Sequence, residues 1–149
     1  MKGFEDFEPG QRFETTSKSL SEAEMIGFAE QYDWQYFHTD PAAAEASPYG
    51  GLIASGFQTL LTAFGLTLTA REWRDNSMGS PGMDNLRWKA PVRPGDMLSV
   101  KVEVLATRPS RSKPDRGTVT FGHTVINQDG IAVMTFDTMV IIRRRETVP

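Results

Sequence analysis

The sequence predicts an α+β fold: an antiparallel sheet wrapped around one long helix. Three observations carry this reading. The C-terminal half alternates apolar and polar residues in successive runs, the period-two signature of strands. The segment from Ala46 to Ala70 carries no charge and holds a helically spaced apolar stripe. The chain has 149 residues, 39% hydrophobic and 23% charged, which fits one domain over 1–149 with a core of its own.

The elements follow in order. Phe13 to Ser19 reads as a short strand. Ser21 opens a helix, because Ser21-x-x-Glu24 is the spacing of a capping box. Met25, Phe28, Ala29 and Tyr32 then recur on one helical face, and the helix ends near Tyr32. Pro41 starts a short helical turn through Ala44. Ser47-Pro48-Tyr49-Gly50-Gly51 breaks the chain. A longer helix runs from about Ser55 to Arg71, with Phe57, Leu60, Leu61, Phe64 and Leu68 as its stripe. Ala63 and Leu66 lie off the stripe, so the helix is apolar over most of its girth and is expected to be buried. Residues 83–90 form a strand with poor alternation, and Arg93-Pro94-Gly95-Asp96 a turn. Leu98, Val100, Val102 and Val104 share one strand face. Val119, Phe121 and Val125 share another, and Ala132, Met134, Phe136, Val140 and Ile142 a third. Asn127-Gln128-Asp129-Gly130 is a hairpin turn, with Gly130 supplying positive φ. Four consecutive strands joined by short turns imply an antiparallel sheet.

Composition narrows the function. The net charge is −3 and there is no cysteine. No basic field points to nucleic acid. Disulfides, thiolate metal sites and a cysteine nucleophile are excluded. Two histidines without a clustered second ligand make no zinc site, and no metal is expected. The start, MKGFEDFEPG, lacks the apolar core of a secretory signal. The uncharged segment is long enough to span a bilayer, but Gln58 and several threonines and glycines mark it as buried in protein. A cytoplasmic protein with no membrane partner is expected.

Asp33 and His38 stand five residues apart in Tyr-Asp-Trp-Gln-Tyr-Phe-His, residues 32–38. Five is neither a helical contact spacing nor a same-face strand spacing. An irregular loop is therefore expected to bring the two together, kept dry by Tyr32, Trp34, Tyr36 and Phe37. On the residues alone, Asp33 ending or capping a helix and His38 packing in a loop is the favoured reading.

The stretch resembles the hydratase motif of the MaoC-like family, which includes the (R)-specific enoyl-CoA hydratases. Asp33 and His38 match that motif. Gln35 stands where Asn is usual, Tyr36 where Pro is usual, and Phe37 where an aliphatic residue is usual. Gly50-Gly51-Leu52-Ile53-Ala54-Ser55-Gly56 resembles the family's Gly-rich turn and helix opening, with Ser55 in place of His. Ala90-Pro91-Val92 and Pro94-Gly95-Asp96 extend the resemblance over nearly the whole chain.

The resemblance implies a hot-dog fold and a homodimer or higher homo-oligomer. It implies an acyl thioester of coenzyme A or acyl carrier protein as substrate, coenzyme A being part of the substrate and no separate cofactor. The activity implied is interconversion of trans-2-enoyl and (R)-3-hydroxyacyl thioesters. His38 would act as base on a water and Asp33 would supply the α-proton. A partly desolvated Asp33 would protonate more easily. Gly56, at the positive start of the long helix, would receive the thioester carbonyl. Ser55, Gln35 and Phe57 complete the expected substrate contacts. A hot-dog thioesterase and a catalytically silent thioester-binding module are the alternatives.

Other features have plainer readings. Ser55 fits a helix N-cap, and Gly56 fits tight packing. His123 reads as a packed core or pocket-edge histidine. Arg108 to Lys113 and Arg143-Arg144-Arg145 read as solvated charge, with phosphate contact as the alternative. Asp40 and Asp129 are turn residues. Trp73 and Trp88 are packing residues.

Overall fold

The computed structural model describes residues 1–145. Strand β1 spans Arg12–Glu14 and β2 spans Lys18–Ser19; helices α1, α2, α3 and α4 span Glu22–Tyr32, Tyr36–Thr39, Pro41–Glu45 and Gly56–Ala70. Strands β3, β4, β5 and β6 span Gly82–Trp88, Met97–Pro109, Arg116–Ile126 and Ala132–Arg143. The expected Phe13–Ser19 strand is thus two short strands. Both pair antiparallel with β4, Phe13 opposite Val102 and Lys18 opposite Leu98.

The sheet order is β1-β4-β5-β6-β3. This corrects the expectation that consecutive strands neighbour one another. β4, β5 and β6 form a meander, but β3 crosses to the far edge and pairs with β6. The turn at Arg93–Asp96 therefore leads into β4 without closing a hairpin. Its poor alternation also has a cause: Asn85 has φ 55° and the β3 register shifts between Asp84 and Arg87.

One face of the sheet is apolar and curls over α4. Val100, Val119, Phe121, Val125, Phe136 and Ile142 are all buried there. From α4, the buried side chains are Gln58, Thr59, Ala63, Leu66 and Thr67. The expected stripe turns the other way. Phe57 and Leu61 are each 57% exposed, and Phe64 and Leu68 are also exposed. Thr59, Ala63 and Thr67 let the helix lie close to the curved sheet beside Gln58 and Leu66, Leu60 packs partly against the core, and the other large apolar side chains point outward.

Local signals behave as expected. Ser21 and Glu24 form a reciprocal capping box at α1. Asp40 caps α3, and its carboxylate accepts from the Ala43 N–H at 3.1 Å. Gly130 has φ 73° in the β5–β6 turn. Trp73 is buried and stacks on Phe121, with ring centroids 4.9 Å apart. Arg145 pairs with Glu5 and Asp6, and Arg144 lies over the Phe4 ring. This part of the arginine run holds the N-terminal turn. No helix among the described residues is long and apolar enough to cross a membrane.

Candidate active site

Asp33 is the C-cap of α1, its N–H donating to the Ala29 carbonyl at 2.8 Å. Gln35 then N-caps the single turn of α2, which carries His38. The expected irregular loop is therefore two helix ends back to back. Phe37 O accepts from the Ile53 N–H at 3.0 Å and fastens α2 to the segment entering α4. His38 is buried, with Nδ1 2.8 Å from the Ile53 carbonyl oxygen. A carbonyl only accepts, so Nδ1 carries a proton and Nε2 is the exchangeable atom of the ring. Nε2 lies 3.3 Å from Asp33 Oδ2.

The Asp33 carboxylate has further partners. Gln35 Nε2 donates to Oδ1 at 2.8 Å and Ser55 Oγ donates to Oδ2 at 2.7 Å. Burial raises the Asp33 pKa, but these two hydrogen bonds and the nearby His38 together hold it below the ordinary carboxylate value. The expectation from desolvation alone is thereby corrected. Asp33 is held ionised at rest because its donors outweigh its burial.

Ser55 is fully buried and does two jobs. Its hydroxyl donates to Asp33 and accepts from the Phe57 N–H at 3.3 Å, so the α4 N-cap is tied to the carboxylate. Ser55 O accepts from Gln58 and Thr59. Gly56 is the first helical residue, so its N–H has no i−4 acceptor. A Cβ on Gly56 would fall 2.3 Å from Trp88 Nε1. The missing side chain accommodates the indole, so the bare space expected for a carbonyl is shared with Trp88.

These groups line one cleft of about 490 Å³, with Asp33, Gln35, His38, Gly56 and Phe57 among its walls. The expected aromatic seal is absent within the chain. Trp34 is 75% exposed, and Tyr32 and Tyr36 are exposed as well. Phe37 is the aromatic of this group that packs inward, edge-on to His38 at 4.6 Å between centroids.

Residues 6–127 match the MaoC-like domain. The chain belongs to the MaoC-like family. The Bacillus subtilis (strain 168) protein YdeM, itself uncharacterised, is 33% identical over 140 residues, covering 94% of this chain and 98% of YdeM. The 3-hydroxybutyryl-CoA dehydratase of Methylorubrum extorquens is 35% identical over 112 residues, covering 74% of this chain and 68% of that protein. The crystal structure of a MaoC-like dehydratase from Rhodospirillum rubrum superposes with a TM-score of 0.92 at 36% identity, covering 99% of this chain and all of that one. The hot-dog fold is shared.

In this MaoC-like domain, the structure brings together Asp33, His38, Gln35, Ser55, Gly56 and Phe57. Gln35 and Ser55 both bind Asp33, a tie that spacing does not reveal. Sequence reasoning missed the Ile53 carbonyl, because a backbone acceptor leaves no residue signal. It also missed Tyr49 and Lys89, which line the cleft. Trp88 was expected only to pack. It is half exposed, stands edge-on to Phe57 at 5.6 Å, and forms cleft wall. His123 lies on the inner sheet face, stacked on Phe136, where burial pushes its pKa down to about 4. It is not among the cleft residues.

Proposed function

We propose that this MaoC-like protein hydrates trans-2-enoyl thioesters of coenzyme A to (R)-3-hydroxyacyl thioesters, and runs the reverse dehydration. The observation that carries the reading is Asp33 and His38, 3.3 Å apart, sharing a cleft with the start of α4. Hydration needs a base for water, a proton for the α-carbon, and a site for enolate charge.

His38 Nε2 takes a proton from water as the hydroxyl oxygen bonds to C3. That proton passes to Asp33 Oδ2, and Asp33 delivers it to the α-carbon on the same face. Water supplies both groups, so the enzyme's protonation is unchanged at the end. This route suits an Asp33 that is ionised at rest, because the carboxyl is loaded within the cycle. The Gly56 N–H and the positive end of α4 hold the thioester oxygen as charge collects there.

The Methylorubrum relative makes crotonyl-CoA the natural first substrate. A second copy of the chain would cover the apolar face of α4 beside the cleft, which supports a homodimer. Loss of the enoyl absorbance of crotonyl-CoA is expected with the wild type. Asp33→Asn and His38→Ala are each expected to slow it by ~10²–10⁴-fold with the fold intact by circular dichroism. Free thiol release in place of absorbance loss would make the protein a thioesterase. Binding without either reaction would make it a silent binding module.

A further inference from the structure

A second space of about 280 Å³ lies along the same three elements that wall the catalytic cleft. On α4 the wall runs from Phe57 to Leu60, Leu61 and Phe64. On β3 it runs from Trp88 to Met83, and on β6 from Val133 to Thr138 and Val140. The second space is mostly apolar, and no carboxylate lines it. Arg71 and Thr138 stand at its walls.

Both are unusual there. Thr138 is 6% exposed, and among the described residues its Oγ1 has no hydrogen-bond partner. Its inner-face neighbours along β6 are Phe136, Val140 and Ile142, so an aliphatic residue would pack equally well. Arg71 Nε is buried and also unpartnered. None of the ion pairs among the described residues uses Arg71. Its guanidinium lies 5.6 Å from the Phe64 ring centre and 5.5 Å from that of Trp73. A ring attracts the cation through its π face and satisfies no N–H, so the buried Nε–H is left without an acceptor. Burial also lowers the Arg71 pKa, as expected for a cation desolvated without an anion.

We propose that Arg71 and Thr138 bind the distal carboxylate of a dicarboxylic acyl thioester whose reacting end lies at Asp33 and His38. The proposal rests on the reading of the cleft as an acyl-thioester site. A carboxylate meets both orphans: it accepts two N–H bonds from a guanidinium edge and one O–H bond from a threonine. Because the guanidinium sits at the level of Phe64, it lies about 12 Å beyond Gly56 along the helix, the reach of roughly ten extended carbons.

The test is binding of saturated thioesters, which cannot be hydrated. Decanoyl-CoA and the monothioester decanedioyl-CoA are titrated calorimetrically against wild type, Arg71→Met and the near-isosteric Thr138→Val. Wild type is expected to bind the diacid at least tenfold more tightly. Arg71→Met abolishes that preference and Thr138→Val reduces it several-fold, while decanoyl-CoA binding is kept. Equal or weaker binding of the diacid by wild type, no binding of either thioester, or an unchanged ratio in Arg71→Met overturns the proposal. So does a fall in mass by light scattering in Arg71→Met without a change in the ratio, which would assign the guanidinium to a second copy of the chain. Crotonyl-CoA hydration, measured alongside, separates the two readings. Hydration without diacid preference leaves the function standing and removes this site. Diacid preference without hydration does the reverse.

Discussion

At the scale of single residues, Asp33 shows how competing terms are resolved by geometry. Its burial raises the pKa, while Gln35, Ser55 and His38 lower it, and the lowering prevails. The sequence contains every one of these groups, yet only the fold brings Ser55, twenty-two residues on, to 2.7 Å from Oδ2. The sign of the pH effect follows. A carboxylate whose folded pKa is depressed adds stability above its unfolded value, and this is lost as pH falls through the folded value. The proposed chemistry also needs Asp33 ionised at rest, so its rate falls at acid pH through the same group. Ser55→Ala removes one donor. The acid limb of the kcat/KM profile for crotonyl-CoA should move to higher pH. Chemical denaturation should show a loss of about 1 kcal/mol from the missing N-cap. An acid limb that stays in place would mean that the Ser55 hydroxyl does not tune Asp33.

At the scale of elements, the start of α4 is the most constrained feature. Ser55 caps it, Asp33 holds the cap, and Trp88 fills the space beside Gly56. Gly56→Ala would put a methyl group 2.3 Å from Trp88 Nε1, so the indole or the helix end must move. A shift of about 1 Å at a reacting centre can lower the rate by ~10²-fold. That loss is expected in kcat, together with a change in tryptophan fluorescence. The double variant Gly56→Ala, Trp88→Ala should recover part of the rate, because the methyl group then has room. Full activity and unchanged fluorescence in Gly56→Ala would show that neither element is held there. Elements of this kind were legible where the signal was local: the Ser21–Glu24 box, Pro41 after Asp40, the Asn127–Gly130 turn, and the alternation of β4 and β5. The placement of β3 beside β6 was not legible. Pairing between distant strands depends on which faces pack over α4, and no short motif records it. The one-turn helix α2 was missed for a related reason: four residues give no periodicity, and their structure depends on a bond from Ile53 to Phe37.

At the scale of the whole molecule, the outward stripe of α4 needs an explanation. Phe57, Leu61, Phe64 and Leu68 recur at helical spacing and stay open to solvent in the single chain. The sequence indicated a helix that belongs inside something, and the chain's own sheet covers only the side that carries Gln58, Thr59, Ala63, Leu66 and Thr67. β3, beside this stripe, is an edge strand with one side unpaired. A stable pair of protomers buries roughly 1,200–2,000 Å², and a helix face beside an open sheet edge is a surface on which a second copy can pack. The expected outcome is therefore a mass twice that of the chain, by light scattering at micromolar concentration. Leu68 is a suitable probe because it lines neither the cleft nor the space beside it. Leu68→Asp would place an unpaired carboxylate in the covered face, a severe penalty when desolvated. The variant should be monomeric. Its crotonyl-CoA hydration should fall by tenfold or more, because Phe57 forms both cleft wall and part of the same face. A wild type that is monomeric and fully active would show that the stripe serves another purpose and that the cleft is complete within one chain.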